Sequence, residues 1–317
     1  MEKRRLGRSE LHIAPLMLGG NVFGWTADEA TSFAILDAFV DAGFNAIDTA
    51  DVYARWSPAG AGASETVLGA WLKSSGKRDK VVIATKVGME LGEGQTGLSA
   101  KWITRAVEDS LKRLQTDYID LYQSHRDDPG TPQAETGETY AALVKAGKVR
   151  FVGASNFEPA RLASAVDLAE ANGWPRYETL QPLYTLYDRA GFESALADLC
   201  ADRDIGVIPF YGLASGFLTG KYKSQADLAK SPRGRTAAKY LNDRGLAIVA
   251  ALEGQGARLG ATAAQVALAW LMTKVAAPIA SATSVAQLQE LVAAAKLSLD
   301  AEAMRALEDA SAELAPA

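Results

Sequence analysis

A single cysteine and two histidines among 317 residues leave little material for metal or thiol chemistry. No pair of them has the spacing of a zinc site, so no metal is expected, and one thiol cannot close an internal disulfide. Cys200 falls on the apolar side of the helical pattern ESALADLCADR, where a thiol packs as a small hydrophobe, and a reducing compartment suits it. An excess of positive charge is also missing. The 33 Lys and Arg against 38 Asp and Glu give a formal net charge of -5, which argues against general affinity for nucleic acid. No apolar run reaches the roughly 18 residues that span a bilayer. The opening MEKRRLGRSELHIAP carries charge without the apolar stretch of a secretion signal. A cytoplasmic protein that does not engage a membrane is expected. The G-x-S-x-G elbow of many serine hydrolases is absent as well.

What the chain does have is alternation. Candidate strands lie at 16–20 (LMLGG), 45–48 (NAID), 81–86 (VVIATK), 118–124 (YIDLYQS), 150–155 (RFVGAS), 178–181 (ETLQ), 206–210 (GVIPF) and 278–281 (PIAS). They are near-continuous apolar runs, the pattern of parallel strands buried on both faces. Between them run amphipathic stretches such as SETVLGAWLKSSG and KWITRAVEDSLKRL, with helical spacing and Gly at several ends. Eight strands, each followed by helix at intervals of about 30 residues, predict an α/β fold of the (β/α)8 TIM-barrel type. KRRLGRSELHIA reads as an N-terminal β-hairpin plugging the barrel bottom. Extra helices are expected within 211–276 and at 299–314. With no linker or low-complexity tract, residues 1–317 are expected to form one domain.

In such a barrel, chemistry gathers where the strands end at their C-terminal side. Asp48, Lys86, His125, Ser155, Gln181 and Phe210 all stand there, and Tyr53 follows closely in DTADVY. A phenol with a reference pKa of about 10 is a poor acid–base catalyst by itself. An ammonium beside it favours the phenolate, a carboxylate holds the ammonium in place, and an imidazole can orient a substrate oxygen. Asp48, Tyr53, Lys86 and His125 therefore fit a site that donates a proton to a developing alkoxide, with hydride supplied by a cofactor.

The chain resembles the aldo-keto reductase family over nearly its full length. The likeness is carried by LGGNVFG, DTADVY, ATKVG, DLYQSH, GASNF, QPLY, PFYGLASGFLTGKY and ASATSVAQLQEL. It implies a barrel that reduces aldehydes and ketones with a nicotinamide cofactor, NADPH or alternatively NADH. In it Tyr53 is the general acid, Lys86 lowers its pKa, Asp48 pairs with Lys86 and His125 orients the carbonyl. By the same likeness Ser155, Asn156 and Gln181 grip the nicotinamide carboxamide. Phe210, or Tyr211 one residue on, stacks on the nicotinamide ring. Leu213, Ser215, Gly216, Leu218 and Lys221 line the pyrophosphate. Ser281, Thr283, Gln287 and Glu290 surround the adenosine and its 2′-phosphate. Thr283 stands where the family often has Arg or Lys, and Leu291 where it often has Asn.

Between Lys221 and Lys239 there are six basic residues, Arg233 among them, against the single acid Asp227; this stretch reads as a phosphate clamp favouring NADPH. A small-molecule carbonyl or alcohol substrate would meet Asn21, Val22, Phe23 and Trp25, then Trp56, Arg126 and Tyr184. Arg126 is the candidate for selecting anionic or polyol-like substrates. GEGQTG (92–97) is a literal G-x-G-x-x-G, but it does not turn directly off a strand, so it reads as a flexible rim loop. Two other readings stand beside reduction. One is a cofactor-binding sensor or channel-accessory module, because similar proteins include potassium-channel β-subunits. The other is a barrel lyase or isomerase without nicotinamide.

Overall fold

The computed structural model describes residues 2–312 and turns the alternation into a ring of parallel strands. Arg4–Arg5 (β1) and His12–Ile13 (β2) form the antiparallel hairpin. The barrel strands are Met17–Gly19 (β3), Ala46–Asp48 (β4), Val82–Val87 (β5), Ile119–Ser124 (β6), Val149–Ser155 (β7), Tyr177–Gln181 (β8), Gly206–Val207 (β9) and Ile279–Ala280 (β10). They run in the order β10-β3-β4-β5-β6-β7-β8-β9, all parallel. The amides of Ala276 and Ile279 donate to the carbonyls of Val207 and Pro209 at 3.0 and 2.9 Å. These bonds bring the last strand back to β9 and close the ring.

The 16–20, 206–210 and 278–281 runs form shorter strands than the sequence suggests. Pro182, facing β9, has no N–H to give, so the ladder lapses after the Ile208 amide reaches the Leu180 carbonyl at 3.0 Å, and Phe210 meets Leu183 only as an isolated bridge. The 16–20 run ends at Gly19, and Gly20–Val22 turns as a 3-10 helix.

Helices return the chain between strands and begin where side chains can satisfy their first amides. Asp28, Ser99, Asn242, Thr262, Ser284 and Asp300 each accept from a backbone N–H inside the first turn. The helix Ala63–Ser75 ends on Gly76 at φ +63, the left-handed geometry that suits glycine. Asp243–Leu259 and Ala263–Lys274 are the extra pair after β9, and Ala301–Ser311 closes the described chain. Cys200 is buried on the helix Ala195–Asp202, where burial pushes its thiol up to about 12.

The hairpin fills the barrel bottom. Leu6, Leu11 and Ile13 pack with Met17, Ala46, Ala84, Leu121 and Ile208 in an interior cluster separate from the strand–helix layer. The fit is close: a Cβ at Gly206 would stand 2.8 Å from the amide nitrogen of Gly7 and 3.1 Å from Cα of Leu6. The opposite end is left open for the strand-end side chains. GEGQTG folds there as a hydrogen-bonded turn, with Leu91 and Gln95 joined at 2.9 Å and Gly97 tied to Gly88 at 3.1 Å.

Truncating the plug tests its contribution. Ile13→Ala, at a fully buried position, should lower unfolding free energy by about 2–5 kcal/mol in a urea titration, as for other buried isoleucines. A loss below about 0.5 kcal/mol, the range of a surface change, would mean that the plug is peripheral.

Candidate active site

Strand ends bring the four sequence candidates together. Asp48 is the last residue of β4 and Lys86 lies on β5, so neighbouring strands present a carboxylate and an ammonium to the same mouth. Lys86 Nζ donates to Asp48 Oδ2 at 2.7 Å, to the Thr49 carbonyl at 2.9 Å and to the Tyr53 hydroxyl at 2.9 Å. Three acceptors match the three protons of an ammonium, which is how a fully buried lysine keeps its charge. The Tyr53 hydroxyl in turn donates to Asp48 Oδ2 at 3.3 Å. The other oxygen, Asp48 Oδ1, accepts from Gln181 Nε2 at 2.9 Å and Gln123 Nε2 at 3.5 Å. His125 follows β6, its amide bonded to the Val87 carbonyl at 2.8 Å. Its ring meets the Tyr53 ring edge-on, with centroids 6.0 Å apart.

Electrostatics correct one expectation. The Tyr53 phenol is not lowered: burial, and then the Asp48 carboxylate that accepts its proton, hold it well above the ordinary tyrosine value. It is therefore protonated at neutral pH, the form an acid needs. Burial lowers Lys86 while Asp48 opposes that shift. Burial, with the charges of Lys86 and Arg126 behind it, keeps His125 well below its usual range and neutral.

Asp48, Tyr53 and His125 floor a cavity of about 710 Å³, with Lys86 fully buried behind them. Ser155, Asn156, Gln181, Phe210 and Tyr211 line it beside the tetrad; Leu213, Ser215, Gly216 and Lys221 continue one arm, which Ser281, Thr283, Gln287 and Glu290 complete. Arg233 enters the same arm and donates to Asn21 Oδ1 at 3.3 Å, an oxygen that also accepts from Ser281 Oγ at 2.6 Å. Val22 and Trp56 line the substrate end.

Five expected positions do not line it. Leu218 is fully buried, because the turn at Ala214–Thr219 packs Ala214, Phe217 and Leu218 into the core. Phe23 is also fully buried, and Trp25 stands behind Trp56 with ring centroids 5.6 Å apart. Arg126 is exposed outside the cavity, and Tyr184 is buried with its hydroxyl on Glu193. Of the six basic residues of the 221–239 stretch, only Lys221 and Arg233 reach the cavity; Lys223 pairs with Glu253 and Lys230 with Asp227.

The cavity arm suits a phosphorylated dinucleotide. Ala214, Ser215 and Gly216 all take positive φ, at 49°, 58° and 87°; the amides of Ala214 and Gly216 donate to the Tyr211 and Leu213 carbonyls at 2.5 and 2.8 Å, which leaves the Ser215 amide as the unengaged donor of this turn among the described residues. Lys221 and Arg233 form no ion pair among the described residues, and the helix Val285–Ala293 begins at the cavity wall.

Several site residues escape sequence reasoning. Gln123 sits mid-strand and touches Asp48 only once β4 and β6 are placed. Arg55 and Met89 line the cavity from irregular loops. Asp51 is 1% exposed, with both carboxylate oxygens lacking a hydrogen-bond partner among the described residues. It lies behind the mouth near Glu65, whose charge is met by Arg113 Nε at 2.7 Å.

A barrel with a Tyr–Lys–Asp–His mouth and an anion-suited arm defines an oxidoreductase class. The family model described as Aldo/keto reductase family matches residues 15–312, and the chain belongs to that family. It is 36% identical to the uncharacterized oxidoreductase YrpG of Bacillus subtilis (98% of this chain, 95% of YrpG). It is 33% identical to the aldo-keto reductase NECHADRAFT_45914 of Fusarium vanettenii (98% and 90%) and 32% to protein Tas of Escherichia coli (97% of each chain). Membership implies NAD(P)H-dependent reduction of small carbonyl compounds. Among the described residues no group of His, Cys, Asp or Glu could hold a metal, and no helix is long and apolar enough to cross a membrane.

Burial and the neighbouring Glu65 raise Asp51 well above an ordinary carboxyl. The native state thus holds a proton that the unfolded chain releases above about pH 4. The resulting stability is full below that pH and is lost as pH rises through the native value. Asp51→Asn should remove this dependence, so that the variant gains stability on wild type between about pH 4 and pH 8 in thermal melts. Parallel curves would show Asp51 to be ionised in the fold.

Proposed function

We propose that this protein reduces aldehydes or ketones to alcohols, or runs the reverse, with NADPH as reductant and Tyr53 as the general acid. The observation that carries the reading is the Tyr53 hydroxyl held between an ammonium and a carboxylate at the floor of the cavity. A bound nicotinamide supplies the hydride. The chain's own residues manage the proton. As negative charge develops on the carbonyl oxygen, Tyr53 gives it the phenolic proton. Lys86, already donating to that phenolic oxygen, stabilises the phenolate left behind, and Asp48 keeps the ammonium aimed. Neutral His125 hydrogen-bonds the carbonyl oxygen and orients it toward Tyr53. Gln181 and Gln123 fix Asp48 from behind, so the assembly is set before substrate arrives. In alcohol oxidation the same phenol, deprotonated, acts as base.

Ser155, Asn156 and Gln181 would hold the carboxamide, Phe210 the nicotinamide ring and the 213–216 turn the pyrophosphate. The preference for NADPH rests on Lys221 and Arg233, two cations without carboxylate partners among the described residues of an otherwise acidic protein. One barrel domain would carry both cofactor and substrate, in the cytoplasm, consistent with a lone buried thiol. Nothing observed favours an accessory module.

Tyr53→Phe should lower kcat for aldehyde reduction by about 10²–10⁴-fold, followed by NADPH absorbance, while cofactor binding by fluorescence quenching persists. Wild-type turnover in that variant would remove Tyr53 from the chemistry. In the same titration NADPH should bind about tenfold or more tightly than NADH, the increment of one charge-assisted contact. Equal affinities would refute the phosphate clamp.

A further inference from the structure

The charges on the cavity wall divide by position. Lys221, Arg233 and Glu290 belong to the arm assigned to the cofactor, and Asp48 is neutralised by Lys86. Arg55 is the one remaining charged residue of that lining, and it stands at the opposite end, between Tyr53 and Trp56 in sequence. It is exposed and forms no ion pair among the described residues. Its Nη1 donates instead to the backbone carbonyl of Glu90 at 2.6 Å. That bond fixes the guanidinium at the rim without cancelling its charge, and leaves its remaining N–H groups without acceptors among the described residues. Beside it Trp56, 50% exposed, forms an apolar wall propped by Trp25. Arg126, the cation that sequence spacing favours for this task, lies outside the cavity.

We infer that Arg55 selects carbonyl substrates that carry a carboxylate remote from the reacting carbon. The guanidinium forks onto that carboxylate while Trp56 covers the apolar body between the two groups. A planar donor fork matches a carboxylate geometrically, and a net negative protein with a cation at its cavity rim draws an anion to that point. This inference rests on the reductase reading of the tetrad.

The test compares 4-carboxybenzaldehyde with benzaldehyde, at saturating NADPH, in wild type, Arg55→Gln and Arg55→Lys. Wild type should favour the carboxylated aldehyde by about tenfold or more in kcat/KM. Arg55→Gln should bring that ratio down to about one, mainly through KM, and Arg55→Lys should fall between, keeping charge but losing the fork. If Arg55 only staples its loop to Glu90, the variants lower both aldehydes alike and the ratio does not move. That result, or a wild-type ratio of one or less, overturns the inference while leaving the reductase reading intact. Turnover of neither aldehyde by wild type overturns both.

Discussion

A fully buried ammonium is the constraint around which the barrel mouth is arranged. Lys86 can stay charged without water only if every proton finds an acceptor, and those acceptors are Asp48, the Thr49 carbonyl and Tyr53. Each comes from the segment leaving β4, so the loop must leave that strand with one particular geometry. Asp48 then needs its own second partners, which draw Gln181 from β8 and Gln123 from β6. One desolvated charge thus ties together four strands of the ring, and the phenol it contacts inherits a fixed position.

The layer outside the sheet repeats this logic with different chemistry. Glu65 is fully buried and bound by Thr85 Oγ1 and Arg113 Nε, from a strand and a neighbouring helix. Asp51, close by and without a cation of its own, takes the cheaper course and keeps its proton. Within a few residues, DTADVY therefore carries one buried carboxyl group paired with an ammonium and one without an ion-pair partner among the described residues.

The eight strands and the tetrad were legible in sequence because both obey local rules: apolar runs mark strands, and polar residues that terminate them mark the mouth. Side-chain direction in irregular segments obeys no such rule. Leu218 and Phe23 look like site residues by position but turn inward, whereas Arg55 and Met89 turn toward the cavity from loops with no period to read. Gln123 hides inside a strand, and its role exists only across the intervening strand β5. The Tyr53 pKa was misjudged for a related reason, since spacing reveals the lysine nearby but not the depth of burial or the carboxylate that accepts the phenolic proton.

The hairpin plug carries a consequence for how the chain reaches this state. Arg4 Nη1 donates to the carbonyls of Met272, Val275 and Ala276, and Leu6 and Gly7 press on Gly206. Residues 4–7 therefore have native neighbours some 200 to 270 positions later in the chain. Contacts of such sequence separation form slowly, so Leu6, Leu11 and Ile13 must remain uncovered until β9 and β10 arrive. Ring closure and plugging thereby become a single late event, and a chain in which β9 and β10 are not yet in place would present an open, sticky barrel to a chaperone.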